Sequence, residues 1–248
     1  MFRNLKILGL ALAALCAISG LAASAASAQQ GELTSKQIEG ATLVGSETGE
    51  SNSLKAFGLV VKCVGSTYTG HQYNATPHAL IPNAATTFTV TPDYKQEAHN
   101  CKTTPGNFAT TIDMNGCDYV AHLGETTGGV SGTYGVTFDV VCPEGKEVAV
   151  TIWTNTTDET SKPNEPFCIL RVKAQTGLKG AHATDTGNGF IDIQGTVTGI
   201  HVDKKNGVAD THTLLCPNAT TSVAELAVDL TFEGKSEAGD PTSLSISE

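Results

Sequence analysis

Six cysteines that fall into three successive pairs constrain the fold of this chain more than any other feature. The first member of each pair lies in or opens an apolar, strand-like run, and the second member ends a segment. An even number of cysteines predicts a disulfide framework in an exported chain, and fifteen connectivities are possible for six cysteines. The order along the chain predicts that each pair forms its own bridge, as Cys63–Cys101, Cys117–Cys142 and Cys168–Cys216.

Bridges that close loops of this size stabilise a fold by about 3–4 kcal/mol each in the chain-entropy model. Zinc is the alternative ligand for cysteine, but the chain has neither a CxxC motif nor clustered Cys/His spacing. We therefore expect structural disulfides and no metal or other cofactor.

The start of the chain, over residues 1–28, has the order of a secretory signal peptide. Arg3 and Lys6 precede an apolar stretch over residues 7–21, and Ala-Ser-Ala at residues 26–28 supplies small residues for cleavage. The apolar stretch is too short for an ordinary membrane span, and no later segment is long and apolar enough to form one. Cys16 lies inside the apolar stretch without a lipobox before it, so we expect it to be removed rather than lipidated. The sequence thus predicts a secreted protein, with the cell surface as a further possible location.

Cleavage after Ala28 would make an already acidic chain more acidic. It would remove two of the 15 basic side chains and none of the 25 acidic ones, so the net charge would change from −10 to −12. An acidic surface repels phosphate backbones and anionic lipid headgroups, so the charge disfavours a nucleic-acid or membrane-surface partner. Only 6% of the residues are aromatic, and Trp153 is the single tryptophan. A core this poor in aromatic side chains is a physical reason to expect covalent bridges.

Apolar and polar residues alternate with period two along much of the chain, as half-buried antiparallel strands require. The clearest runs place Phe88 and Val90, then Val148, Val150 and Ile152, then Leu226, Val228, Leu230 and Phe232 on one face of their strands. Asn-Gly pairs at residues 115–116, 188–189 and 206–207 are candidates for hairpin turns, because both residues tolerate positive φ. About a dozen short strands at this spacing predict an all-β, sandwich-like fold.

The cysteine pattern divides the chain into three divergent repeats, each closed by one disulfide. We expect a signal peptide over residues 1–28, an N-terminal strand and loose polar arm over 29–55, and a disulfide-stapled all-β region over 56–248. The repeats fall at roughly 56–108, 109–160 and 161–234.

Four segments also carry a resemblance to a group of uncharacterised secreted bacterial proteins with a Thr/Gly-rich body. These are Thr86–Tyr94, Met114–Cys117, Asp139–Gly145 and Gln175–Leu178, within a resemblance that spans residues 33–232. The resemblance implies a secreted β protein and carries no activity, cofactor or ligand. This chain departs from the shorter members by a longer segment after Cys63, over residues 68–82.

Catalytic motifs are weak throughout. Asp185-Thr186-Gly187 matches the aspartic-protease triplet, but that chemistry needs a second carboxylate, and an Asn-Gly turn explains the same residues. A calcium loop from Asp185 to Asp192 is disfavoured, since glycines occupy two ligand positions. Residues 128–132 do not form a GxSxG elbow. The carboxylates that could serve a glycosidase are carried by different strands: Asp113, Asp118, Asp139 and Asp229.

One turn-rich segment, residues 66–78, concentrates the candidate ligand-binding side chains. Tyr68, His71, Tyr73 and His78 lie within it, and a tyrosine ring suits sugar or peptide ligands through its flat apolar face and its hydroxyl. The alternative is a strand and loop whose tyrosines pack on the sheet and whose histidines are solvated. Three N-glycosylation sequons, at Asn74, Asn155 and Asn218, are chance products of composition under a bacterial interpretation.

The sequence favours a non-catalytic secreted protein that is structural, adhesive or ligand-binding. A cell-wall glycan or another surface protein is the candidate partner. The alternative is a secreted hydrolase that acts on polysaccharide or peptide. Such an enzyme would need convergent carboxylates in a cleft or a His–Ser/Asp constellation.

Overall fold

A computed structural model describes residues 30–35, 41–48, 52–72, 84–85, 87–94, 101–127, 132–153, 166–206, 216 and 220–247. Strands make up 76% of these residues and none of them lies in a helix, which confirms the all-β prediction. Among the same residues there is accordingly no helix with the length and apolar character to cross a membrane.

Eighteen strands are present in the described part of the chain, and their pairings are antiparallel. In chain order they are β1 (Glu32–Ser35), β2 (Thr42–Glu47), β3 (Ser53–Ala56), β4 (Leu59–Cys63), β5 (Thr67–Gln72), β6 (Ala84–Ala85), β7 (Thr87–Asp93), β8 (Cys101–Thr104), β9 (Phe108–Asp113), β10 (Asp118–Thr126), β11 (Thr133–Val141), β12 (Val148–Trp153), β13 (Pro166–Val172), β14 (Gln175–Asp185), β15 (Phe190–Asn206), β16 (Thr221–Lys235), β17 (Pro241–Thr242) and β18 (Leu244–Ser247).

Two closed rings of strands share the long pair β15–β16. The first ring runs β16, β2, β5, β7, β10, β11, β14, β15 and returns to β16. The second ring runs β16, β3, β4, β8, β9, β12, β13, β15 and returns to β16. Each strand of a ring therefore has a hydrogen-bonded neighbour on both sides, so the described strands close each ring without an unpaired edge strand.

The shared pair changes partners along its length. β15 pairs with β14 through its first half and with β13 from Val202 onward. β16 pairs with β3 around Leu226 and with β2 from Leu230 onward. A register shift between Val197 and Ile200 marks the change on β15. These two strands thus join one ring to the other.

The alternation in the sequence is confirmed by burial. Val148, Val150 and Ile152 are 3%, 1% and 0% exposed, and Phe88 and Val90 are 3% and 2% exposed. One continuous hydrophobic core contains buried side chains of both rings. A separate three-stranded sheet, β18–β1–β6, adds Leu33, Leu244 and Ile246 to that core.

All three disulfides have the predicted partners. Cys63–Cys101 joins directly opposed residues of β4 and β8. Cys117–Cys142 lies just beyond the paired residues Asp118 and Val141, so it closes the open end of the β10–β11 hairpin. The strand pairings do not confirm the three repeats, because β8 of the first predicted repeat pairs with β9 of the second. The predicted sandwich is not confirmed either, since the strands pair around two rings.

The three Asn-Gly pairs that were predicted to form hairpin turns differ from one another in the structure. Asn115 and Gly116 take positive φ, and the Cys117 amide donates to the Met114 carbonyl, so a turn forms there. It is not a hairpin, because β9 and β10 lie in different rings. At residues 188–189 a hairpin does form between β14 and β15. The third pair is only half described, since Gly207 lies outside the described residues.

Candidate functional site

A partly open cavity of about 80 Å³ is lined by side chains from both rings. We call it the central cavity. The first ring contributes aromatic side chains on or next to its strands: Tyr68, Phe88, Tyr94, Tyr119, Phe138 and Phe232. The second ring contributes mainly aliphatic ones, among them Leu54, Val61, Ile112, Val148, Val150 and Val172. The central cavity therefore belongs to the junction of the two rings and to neither ring alone.

Several large side chains around this cavity are only partly buried although they belong to the core. Ile112, Phe138 and Leu226 pack against the buried cluster, yet each keeps accessible surface. The same three side chains line the central cavity. We interpret their remaining surface as facing the cavity, where it lacks the van der Waals contacts that a close-packed interior provides.

A glycine shapes the aromatic side of the cavity. Gly45 on β2 is directly opposite Phe232 on one side and Tyr68 on the other. The rings of Tyr68 and Phe232 meet edge to face above it, with centroids 6.3 Å apart. A Cβ at Gly45 would lie 2.4 Å from the Phe232 ring, so only glycine leaves the space that this aromatic pair occupies.

A row of hydroxyls and one amide supplies the polar groups of the cavity. The Asn52 side-chain amide donates to the Tyr68 hydroxyl at 3.4 Å, and the hydroxyls of Tyr94 and Tyr119 are 3.5 Å apart. The rings of Tyr68 and Tyr94 meet edge to face at 6.2 Å and connect the two contacts. We call Asn52, Tyr68, Tyr94 and Tyr119 the tyrosine row.

Asn52 owes its position to the exchange of partners along β16. Its side-chain oxygen accepts a hydrogen bond from the Asp229 amide at 2.9 Å. Asp229 lies on β16 between the residues that pair with β3 and those that pair with β2. Its own backbone amide donates to the Glu47 carboxylate at 2.9 Å. Asn52 is 5% exposed, so this side chain is a fixed part of the junction.

Burial keeps the tyrosine row uncharged. It raises the pKa of the Tyr68 phenol well above the ordinary value of 10, and the neighbouring Tyr119 adds to the rise. Burial likewise raises the pKa values of Tyr94 and Tyr119 well above that value. The three hydroxyls therefore remain neutral donors and acceptors over the whole physiological pH range.

The structure separates the candidate residues predicted from the sequence. Tyr68 is 3% exposed and lines the central cavity, so it offers no ring face to solvent. His71, three residues later on β5, lies on the exposed outer face, in register with Thr42 and Thr89. Tyr73 and His78 lie outside the described residues, so their assignment stays a prediction.

The Asp185 turn has a structural role in this fold. One carboxylate oxygen of Asp185 accepts from the Gly187 amide at 2.7 Å, and the other accepts from the Ile246 amide of β18 at 2.9 Å. Asp192, which with Asp185 and Asn188 made up the three candidate calcium ligands, accepts from the Thr231 hydroxyl at 2.7 Å. Across the part of the chain that the structure describes, no group of three His, Cys, Asp or Glu side chains is placed to hold a metal ion.

A Thr–His–Asp constellation lies on the outer face of the first ring, and no sequence motif pointed to it. His122 Nε2 is 2.9 Å from Asp139 Oδ2, and His122 Nδ1 is 3.3 Å from the Thr87 hydroxyl. The other Asp139 oxygen accepts from the Gly177 amide at 2.8 Å. Strands β7, β10 and β11 are each paired on both sides, and the β11–β14 pairing has a register shift beside Asp139.

The remaining strand-borne carboxylates have local partners rather than one another. Asp113 accepts from the Asn115 amide, Asp118 from the Thr91 hydroxyl, and Asp229 from the Gln194 side chain. None of these carboxylates lines the central cavity.

Comparison with known proteins gives no match for this chain among family models, curated proteins or solved structures. The central cavity and the tyrosine row are the features of the described structure that point to a function.

Proposed function

We propose that this chain is a secreted, non-catalytic β protein that holds a small, mainly apolar ligand in its central cavity. The observation that carries the proposal is the cavity itself, which lies in an otherwise continuous core and is lined by both rings. Large aromatic and aliphatic side chains with a few polar groups are the usual lining of a small-molecule site.

Export is supported by the signal-like segment over residues 1–28 and by three disulfides, which persist in oxidising compartments. Closed rings and covalent bridges suit a protein that keeps a preformed site outside the cell. Little loop ordering is needed when a ligand enters a preformed site, so less binding free energy is lost.

The proposal is tested by titrating toluene into the purified mature protein while the methyl resonances of valine and leucine are followed by NMR. We expect saturable shifts at methyl groups that line the cavity, such as those of Val150 and Leu226. The exposed methyl groups of Val141 and Val223 should not shift. Absence of saturable shifts at the lining methyl groups would refute the proposal.

A matched pair of variants locates the site. Leu226→Phe places a larger ring at the cavity wall and should abolish the toluene-induced shifts. Val223→Phe adds a ring to the same strand on its opposite, solvent-facing side, where Val223 is 61% exposed, and should leave them unchanged. Loss of the shifts in both variants, or in neither, would contradict binding in the central cavity.

The second candidate function is a hydrolase, and the Thr87–His122–Asp139 constellation is the observation that favours it. It lies on an exposed sheet face, with the His122 side chain 40% exposed. We expect no turnover of peptide, glycan or ester substrates by the purified protein. Turnover that His122→Ala abolishes, and that His71→Ala on β5, two strands away, preserves, would establish the hydrolase instead.

A further inference from the structure

We infer that the central cavity selects an uncharged ligand that is no larger than one ring and carries a hydroxyl group, such as a compact alcohol or a phenol. This inference rests on the proposed function and specifies the chemical class of its ligand. The wall of the cavity, its size and the hydrogen bonds of the tyrosine row each contribute one part of the argument.

Polar groups are confined to a small part of the wall. Asn52, Ser53 and the three tyrosines provide them, and the other described lining residues are apolar or, at Cys63, part of a disulfide. No lysine, arginine or histidine is among the described lining residues. An ionised ligand would therefore lose its hydration without gaining a counter-charge, which is costly in an apolar site.

The size of the cavity limits the ligand. An apolar protein cavity of about 150 Å³ binds benzene or xenon. The central cavity, at about 80 Å³, is roughly half as large. A single ring is therefore the upper limit for the ligand, and the drug-sized ligands that occupy pockets of about 300 Å³ or more are excluded.

The tyrosine row has hydrogen-bonding capacity to spare. Each phenol can donate one hydrogen bond and accept two. The contacts at 3.4 Å and 3.5 Å are longer than the optimum for a hydroxyl, which is about 2.8 Å. A ligand hydroxyl placed beside Tyr94 and Tyr119 would make shorter hydrogen bonds than these side chains make with each other.

Phenol and toluene test the inference, because they have nearly the same shape and differ by a hydroxyl against a methyl group. Without polar recognition, toluene would bind more tightly, since its transfer from water to an apolar site is more favourable. We expect phenol to bind the wild-type protein at least as tightly as toluene in NMR titrations of the methyl groups that line the cavity. Benzoate, the charged counterpart, should not bind.

The Tyr94→Phe/Tyr119→Phe variant removes two hydroxyls and keeps both rings. We expect it to weaken phenol binding by roughly threefold to tenfold per lost hydrogen bond and to leave toluene binding unchanged. Unchanged toluene binding also shows that the cavity is intact in the variant.

Each outcome separates the inference from the function on which it rests. Toluene binding with much weaker phenol binding, or phenol binding that the double variant does not weaken, would overturn the inference and leave the proposed function in place. Benzoate binding as tight as that of phenol would also overturn it. If neither toluene nor phenol binds, both the inference and the proposed function fail.

Discussion

Replacing Gly45 by alanine should destabilise the protein through one specific clash. The new Cβ would lie 2.4, 2.7 and 2.9 Å from three carbons of the Phe232 ring, whereas carbon atoms in contact prefer about 3.5–4.0 Å. Phe232 is 2% exposed and also packs against Tyr68 and Phe88, so its ring has room to move only toward the central cavity. Overpacking of this kind costs about 1–3 kcal/mol.

A double-mutant cycle tests the assignment of that cost to Phe232. Phe232→Leu alone should cost about 1–2 kcal/mol, because it removes buried carbon atoms. Combined with Gly45→Ala, the shorter side chain relieves the clash, so the double variant should be more stable than the sum of the two effects predicts. The difference should be about 0.5 kcal/mol or more, which is the lower end of the coupling between residues in contact.

Urea unfolding followed by the fluorescence of Trp153 measures these differences in the free energy of unfolding. Trp153 lies on β12 in the second ring, whereas Gly45 lies on β2 in the first, so the substitutions do not change the surroundings of the fluorophore. Gly135→Ala is the matched control, because a Cβ there meets its nearest neighbour at 3.5 Å without positive φ. It should be neutral or slightly stabilising. Equal stability of the two Gly→Ala variants, or simple additivity with Phe232→Leu, would refute the proposed packing.

Two further predictions concern pH and the disulfides. The raised pKa values of Tyr68, Tyr94 and Tyr119 mean that their contribution to stability is complete below pH 10 and is lost above it, because only the unfolded chain releases these protons there. Above pH 10 each of these tyrosines should lower the free energy of unfolding by about 1.4 kcal/mol per pH unit. The Tyr94→Phe/Tyr119→Phe variant should therefore lose about 2.8 kcal/mol per pH unit of this slope in alkaline urea titrations, and an unchanged slope would contradict burial of these phenols. The disulfides close loops of 38, 25 and 48 residues, so removal of any one of them as a double Cys→Ala variant should cost about 3.5–4 kcal/mol by urea unfolding. A cost below about 1 kcal/mol would show that the bridge does not constrain the unfolded chain as assumed.

The local structure was largely predictable from the sequence. Alternation on β12 and β16 identifies the inward residues, because side chains on a strand point to opposite faces in turn. The same rule separates Tyr68 from His71 on β5: an interval of three residues places them on opposite faces. The disulfide partners followed from the order of the cysteines, because each bridge joins two cysteines that are consecutive along the mature chain.

The closure of the strands into two rings was not predictable in this way. The pairing of Glu47 on β2 with Leu230 on β16 joins residues that are far apart in sequence, and no local pattern specifies such a partner. The central cavity depends on that closure. Asn52, which lies in a polar stretch without periodicity, had no sequence signal for its role at the junction, and its contacts with Asp229 and Tyr68 form only in the folded chain.

Xenon binding is the most direct test of the claim that the two rings enclose an accessible apolar site. In crystals of the mature protein pressurised with xenon, we expect anomalous density inside the central cavity, between Tyr119, Val150 and Leu226, because dry apolar cavities take up xenon. The density should disappear in Leu226→Phe and persist in Val223→Phe. Xenon only at the protein surface, with none in the central cavity, would contradict the account.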